Sequence, residues 1–418
     1  MKILFLTDNF PPEVNAPATR TFEHCRLWVK LGHTVDVITC APNFPKGEVF
    51  PGYRNKLYQR EVLEGITVHR VWSFIWPNKG RVLRILDYLS FMVSSFIAGL
   101  CIKADVIVAT SPQFFTAVSG GLLGLLKRTP WVFEVRDLWP ESIAAVGAMK
   151  RSLALRMIEK VELALYRSAA RVVVVTESFE ANITGRGIPP GKISVITNGV
   201  NPSDWTWSGD RAAERERLGL HDKFIVGYAG TMGMAHALDF IVRSASKLKE
   251  VVPDAHIVLI GDGAERGRLQ ELVNELKPTN VTLMDSVSKE ELKPILSSFD
   301  VALVNLRRAE TFKTVLPSKI FESAAMGKPI LLGVDGEARA LVERFKAGIY
   351  FTPEDECAFI EGVATLQGDS NRYLECVRGA GDLARSYSRD AIGEEMLREL
   401  LMIAARPTPL PSPQDVAP

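Results

Sequence analysis

The 418-residue chain carries almost no net charge: 50 Lys and Arg stand against 49 Asp and Glu, a formal +1. That balance argues against a protein that holds nucleic acid by bulk electrostatics, and no nucleic-acid partner is expected. Cysteine is scarce and scattered. Cys25, Cys40, Cys101, Cys357 and Cys376 are odd in number and form no C-x-x-C pair. Neither a disulfide framework nor a zinc site is supported, so reduced thiols in a cytosolic compartment are the expectation. The opening apolar run, Ile3-Leu4-Phe5-Leu6, is followed at once by Thr7 and Asp8 and is too short for a secretory leader. It reads as a buried first strand.

A long hydrophobic run is also missing. The richest stretch, residues 81–102, is broken by Arg84 and Asp87. Its part from Phe91 to Ile102 would be about 18 Å long as a helix, against the roughly 30 Å of a bilayer core. On a helical wheel Arg81, Arg84, Asp87, Ser90 and Ser94 form a narrow polar stripe. Two readings stay open: a mostly buried core helix, or a helix whose apolar edge and basic start (Lys79, Arg81, Arg84) meet a membrane surface.

The chain does have ample material for cores, with 47% hydrophobic and 24% charged residues, and a length that calls for two domains. Short β-branched runs alternate with helical stretches throughout, the rhythm of βαβ units and parallel sheets. Strands are expected at 2–7, 34–39, 66–71, 105–110, 131–135, 172–176 and 193–197, and again at 223–229, 256–260, 281–284, 300–304, 329–333 and 348–351. The polar segment 201–222 reads as a linker. Residues 1–204 and 205–386 are thus two doubly wound α/β domains, each binding ligands at the carboxyl ends of its strands. A helix at 387–404 is expected to bridge them, and the Pro-rich 405–418 to be disordered.

Three loops of the second half suit a nucleotide diphosphate. Gly230-Thr231-Met232-Gly233-Met234 follows a strand and precedes a helix, where backbone N–H groups and the positive dipole end can meet phosphate. Gly261-Asp262-Gly263 also ends a strand, but with Arg266 at the third position it falls short of a dinucleotide fingerprint. The third, Leu316-Pro317-Ser318-Lys319-Ile320-Phe321-Glu322, opens a helix. There a hydroxyl and an ammonium can reach phosphate while Glu322, one turn on, accepts hydrogen bonds from ribose. Each has a plainer reading as a tight turn or a surface Lys–Glu pair.

The chain resembles the retaining glycosyltransferases of family four, in the bacterial branch that builds O-antigen and capsule repeats, including N-acetyl-L-fucosamine transferases. The resemblance covers residues 2–404. It rests on Asn9-Phe10-Pro11-Pro12-Glu13, Arg136-Asp137-Leu138-Trp139-Pro140-Glu141-Ser142, Asn198-Gly199-Val200, the two glycine loops and 317–329.

It implies the GT-B fold, two Rossmann-like domains with a cleft between them. It also implies transfer of a sugar from a nucleotide diphosphate, UDP by expectation, to a polyprenyl-diphosphate-linked glycan at the inner face of the bacterial inner membrane. In the family's Glu-x7-Glu signature Glu322 matches the second, ribose-binding position; at the first this chain has Thr314. Gly230, Thr231, Gly233, Met234, Gly261, Gly263, Pro317, Ser318, Lys319 and Glu322 are the expected donor contacts, with Ser286 and Val287 at the base. Glu13, Asn15, Arg20, Trp139 and Glu141 are expected at the acceptor. Where relatives carry His-Asp this chain has Arg136-Asp137, and with Lys319 these form the expected catalytic set. Arginine cannot act as a base at neutral pH but stabilises negative charge.

No Asp-x-Asp pair lies beside a nucleotide loop, so metal-free catalysis without a cofactor is expected, with Lys319 and helix N-termini stabilising the leaving diphosphate. A nucleotide-sugar epimerase, a non-catalytic nucleotide- or glycan-binding module and, more remotely, an NAD-dependent dehydrogenase are the competing readings. Release of nucleotide from donor plus acceptor separates the transferase from the binding module.

Overall fold

The structure is a computed structural model that describes residues 1–44, 46–76, 81–111, 113–138 and 153–405. It divides into two compact units, residues 1–197 with the C-terminal helix, and Asn198–Ser388.

In the first unit, β1 (Lys2–Leu6), β2 (Thr34–Cys40), β4 (Ile66–Val71), β5 (Val106–Thr110), β6 (Trp131–Val135), β7 (Arg171–Val174) and β8 (Ile193–Val195) run parallel; β3 (Tyr58–Leu63) is antiparallel to β4. The order is β3-β4-β2-β1-β5-β6-β7-β8. The sheet therefore reverses direction of growth between β1 and β5, and the loops after these strands flank a crevice suited to a ligand. Central strands such as β1 and β5 are apolar on both faces because helices cover both. The helices are α1 (Ala16–Lys30), α2 (Arg81–Cys101), α3 (Phe114–Lys127), α4 (Leu153–Ser168) and α5 (Glu177–Gly185).

The second unit has α6 (Arg211–Arg217), β9 (Phe224–Ala229), α7 (Leu238–Val251), β10 (Ala255–Ile260), α8 (Arg266–Leu276), β11 (Val281–Met284) and α9 (Lys289–Ser298). It continues with β12 (Val301–Asn305), α10 (Lys319–Ala325), β13 (Ile330–Gly333), α11 (Glu337–Phe345), β14 (Gly348–Tyr350), α12 (Glu356–Gly368) and α13 (Ser370–Ser386). Its all-parallel sheet, β11-β10-β9-β12-β13-β14, switches direction between β9 and β12.

Three expectations need correction. The boundary falls at 197/198 rather than 204/205, since residues 198–204 pack with the second unit: the Val200 N–H donates to Tyr387 O at 2.9 Å. The last helix, α14 (Arg389–Ala404), belongs to the first unit. There the Trp28 indole donates to Gly393 O at 2.9 Å, Arg389 pairs with Glu23 at 2.5 Å, and Glu399 pairs with Arg171 at 2.9 Å. The first sheet is not wholly parallel, because β3 closes its edge. The chain from residue 406 on lies outside the described residues.

α2 buries Phe91 and packs Phe96 and Ala98 on the core, yet part of its polar stripe also turns inward. Asp87 and Ser90 face inward: the Ser73 hydroxyl donates to Asp87 Oδ1 at 2.5 Å, and the Phe74 N–H donates to Ser90 Oγ at 2.7 Å. Ile85, Leu86, Val93, Ile97 and Leu100 are exposed instead. No helix among the described residues is long and apolar enough to cross a membrane.

Candidate functional site

The second unit's glycine loops meet at the switch between β9 and β12. The Gly230 N–H donates to Ile260 O at 2.9 Å, the Met232 N–H to Asp262 O at 2.8 Å, and the Gly261 N–H to Met284 O at 3.1 Å. This lacing needs glycine: Gly230 and Gly261 have φ of +141° and +148°, and a Cβ on Gly261 would collide with the Gly230 carbonyl. Met232 is buried between the loops while Thr231 and Met234 are exposed. The start of α7, just beyond, has no side-chain cap, so its first N–H groups remain available to an anion.

Lys319 reaches into this loop cluster from α10. A Cβ on Gly230 would touch its Nζ, and the ammonium lies 5.1 Å from the centroid of the Tyr228 ring. Among the described residues it has no hydrogen-bond or ion-pair partner. Burial lowers its pKa, and Glu322 only partly opposes this. His236 sits beside it and is held down at about 4 by burial and by the Lys319 charge, so it is neutral at physiological pH. Asn305 fixes that segment by donating to His236 O at 2.9 Å. An unpaired ammonium, a neutral imidazole and free backbone N–H groups form an electropositive cradle for a diphosphate.

The structure brings Gly230, Thr231, Gly233, Gly261, Gly263 and Lys319 into one cluster. Pro317 and Ser318 lead into α10, and Glu322 lies on it, half-buried. Ser286 is exposed beyond β11, whereas Val287 packs against the Leu220–Ile225 core, leaving backbone groups as its contribution. Thr314 ends a 3-10 turn and donates its hydroxyl to Thr311 O at 2.9 Å. Arg307 was missed by sequence reading. Its Nε donates to Met234 O at 3.1 Å, and it pairs with Asp239 and Glu354, each at 3.3 Å, so it braces the first glycine loop while two carboxylates neutralise it. Only the pairing of β12 with β9 carries it there from more than 70 positions away.

In the first unit, the Arg136 and Asp137 N–H groups donate to Ser111 Oγ at 2.7 and 3.3 Å. Burial pulls the Arg136 guanidinium down to about 10, still charged at neutral pH, and its Nε and Nη1 have no hydrogen-bond partner. Asp137 is exposed. Glu13 is buried; its Oε1 accepts from the Asn43 and Phe44 N–H groups at 2.7 and 2.8 Å. Asn15 caps α1 through Ala18 and donates to Asn9 Oδ1 at 2.7 Å.

Arg20 is buried. It pairs with Glu134 at 2.9 Å and donates to the carbonyls of Ile196 and Thr197. Trp139 and Glu141 lie outside the described residues. No group of three or more His, Cys, Asp or Glu side chains among the described residues is placed to hold a metal ion.

Comparison with known proteins agrees with this layout. Residues 15–199 match the family described as "Glycosyl transferase 4-like domain" and residues 223–369 match "Glycosyl transferases group 1". The chain is 25% identical over 415 residues to WcaI of Escherichia coli K12, a glycosyl transferase ascribed to colanic acid biosynthesis, covering 96% of this chain and 99% of that protein. It is 25% identical over 420 residues to the GDP-mannose-dependent alpha-mannosyltransferase of Mycobacterium tuberculosis, covering 98% of each. Among solved structures, Anabaena HepE in complex with UDP and glucose superposes with a TM-score of 0.71 at 17% identity, over 96% of this chain and all of that one. The two domain matches, with full-length relatives in the same two-sheet arrangement, place this chain among the glycosyltransferases of family four, which have the GT-B fold.

Proposed function

We propose that this glycosyltransferase moves a sugar, with retention at the anomeric carbon, from a UDP-linked donor to a lipid-linked glycan during surface-polysaccharide assembly. The observation that carries this reading is the unpaired Lys319 ammonium within the laced glycine loops at the β9/β12 switch. Breaking the anomeric C–O bond leaves a nucleotide diphosphate, and charge stabilised there lowers the barrier directly. Lys319 and the start of α7 supply that charge without a divalent cation. Glu322, one turn beyond Ser318, holds the ribose. The first unit holds the acceptor, with Arg136 as a second anion-stabilising group. WcaI's ascription to colanic acid supports the polysaccharide setting. UDP bound to HepE supports the base, and calorimetry with UDP and GDP side by side tests it.

Glu322→Ala should raise the donor dissociation constant at least tenfold, about 1.4 kcal/mol, with little change in melting temperature. Calorimetric titration with nucleotide checks this; unchanged affinity removes Glu322 from the site.

A lipid-linked acceptor requires contact with the inner leaflet, where a peripheral enzyme would meet it. The exposed apolar side chains of α2 support this, and α3 adds Leu122, Leu125 and Leu126, all exposed. Lys79 and the side chains of Arg81 and Arg84 lie outside the described residues. Each basic residue near an anionic leaflet contributes about 1 kcal/mol. Changing Lys79, Arg81 and Arg84 together to Glu should therefore weaken binding to anionic vesicles about 100-fold or more. Wild-type binding should also weaken with salt, and the triple variant should keep its nucleotide affinity. A wild-type protein that ignores anionic vesicles at low salt refutes the membrane contact.

A further inference from the structure

At the β3 edge of the first sheet, side chains from three neighbouring strands form one hydrogen-bonded line. The Tyr58 hydroxyl of β3 lies 2.7 Å from His69 Nδ1 of β4, and His69 Nε2 lies 2.8 Å from Asp36 Oδ1 of β2. Strand register builds this line. His69 stands opposite Arg60 of β3 and Ile38 of β2, and the period-two alternation puts Tyr58 and Asp36, each two residues away from these, on the same face. An ionised Asp36 can only accept, so in the neutral ring Nε2 carries the proton and Nδ1 receives the Tyr58 O–H. The His69 and Asp36 side chains are 7% and 17% exposed. Tyr58 is 52% exposed, and it is the only exposed tyrosine among the described residues.

A hydroxyl within reach of a base, itself oriented by a carboxylate, is the arrangement that activates a nucleophile for acyl transfer. Here the ring nitrogens exchange their usual places and a phenol stands for the alcohol. Lys56 and Arg60 flank Tyr58, two residues to either side, and neither side chain has a hydrogen-bond or ion-pair partner among the described residues. Arg60, directly across from His69, is therefore available to the negative charge that develops on an attacked carbonyl oxygen. β3 is the last strand of its sheet, so no further strand covers this edge from outside.

We propose that Tyr58, His69 and Asp36 form a second reactive centre, which takes acyl groups from activated carboxylic esters and hydrolyses them. Tyr58 Oη attacks the ester carbonyl carbon while His69 Nδ1 takes the phenolic proton. Asp36 stabilises the imidazolium, and Arg60 offsets the charge on the oxyanion. Collapse then breaks the bond from the carbonyl carbon to the leaving oxygen, and His69 returns the proton to the departing alcohol or phenol. Water attacks the Tyr58 ester in turn. His69 takes the water proton and passes it to Tyr58 Oη as the carboxylic acid leaves. Sugar transfer does not depend on this centre, whose residues are none of those assigned to donor or acceptor.

The probe is p-nitrophenyl acetate on the full-length protein, read by nitrophenol release and by peptide mass mapping. A burst of about one equivalent should precede slower turnover, with the acetyl group found on Tyr58. Tyr58→Phe should abolish the burst at unchanged melting temperature. Asp36→Asn should slow acylation at least tenfold while Tyr58 stays exposed. The wild type also carries its own control, which needs no variant to fold. Its acylation rate should rise with pH while the imidazole sheds its proton and then level off, whereas an unassisted phenol gains about tenfold per unit up to about pH 10. The groups that face His69 through this titration are Asp36, Tyr58 and Arg60. The proposal is overturned if no burst occurs, or if the acetyl group settles on lysines or other tyrosines instead. It is equally overturned if Asp36→Asn acylates at the wild-type rate, or if the wild type follows the profile of an unassisted phenol.

Discussion

Lys319→Ala should lower turnover by about two to three orders of magnitude, the usual effect of deleting one preorganised charge from a site where negative charge develops. The same variant should melt at the wild-type temperature or slightly above it. Lys319 is an ammonium crowded against Gly230 and the Tyr228 ring, with burial lowering its pKa and no hydrogen-bond partner among the described residues. A base whose folded-state pKa is lowered destabilises the fold at pH values where it is charged, so removing it relieves a cost. Steady-state kinetics and a thermal melt on one preparation suffice. Activity should survive excess EDTA in the wild type. Loss in chelator that magnesium or manganese restores would show that a cation, not Lys319, neutralises the diphosphate.

Arg20→Met should have the largest effect on stability, about 3–5 kcal/mol, because it removes the ion-pair partner of a buried carboxylate and leaves Glu134 only the more distant Arg136. Both side chains of this pair are buried. Burial alone would raise the Glu134 carboxyl, but Arg20 and Arg136 together overcome it and hold it below its ordinary range. A depressed carboxyl stabilises the fold above its unfolded pKa, and that contribution disappears as pH falls through the folded value. The wild type should therefore lose stability in acid, and Arg20→Met should be less stable at pH 7 but flatter with pH below about 4. Denaturant midpoints across pH measure both. Unchanged stability with weakened acceptor binding would return Arg20 to the substrate site.

The parallel strands were readable because each is a short β-branched run between helical stretches, and the nucleotide loops because glycines follow two of those runs. β3 was missed: its middle, Gln59-Arg60-Glu61, is three polar residues in a row, which reads as loop beside strands that are mostly apolar. The α2 wheel showed a narrow polar stripe but not its direction. Asp87 and Ser90 turn inward because Ser73 and the Phe74 N–H wait there, more than a dozen residues away in sequence. Arg307 escaped notice for the same reason. It reaches the first glycine loop only because β12 pairs with β9, and adjacency in a sheet is not written in local sequence.

The pairing at the ends of the second unit has a consequence for how such chains diversify. Val200 bridges Ser388 and donates to Tyr387 O, so residues 198–388 begin and end at one place. A stretch of chain whose ends touch behaves as an insertion in its host. It can be lengthened, exchanged for a homologous stretch, or given new termini by circular permutation, while the host keeps its sheet and the packing of α14 on α1. Donor choice resides in that stretch under the proposed function. A change of nucleotide sugar then requires only two splice points, close together in space, and leaves the acceptor-binding half intact.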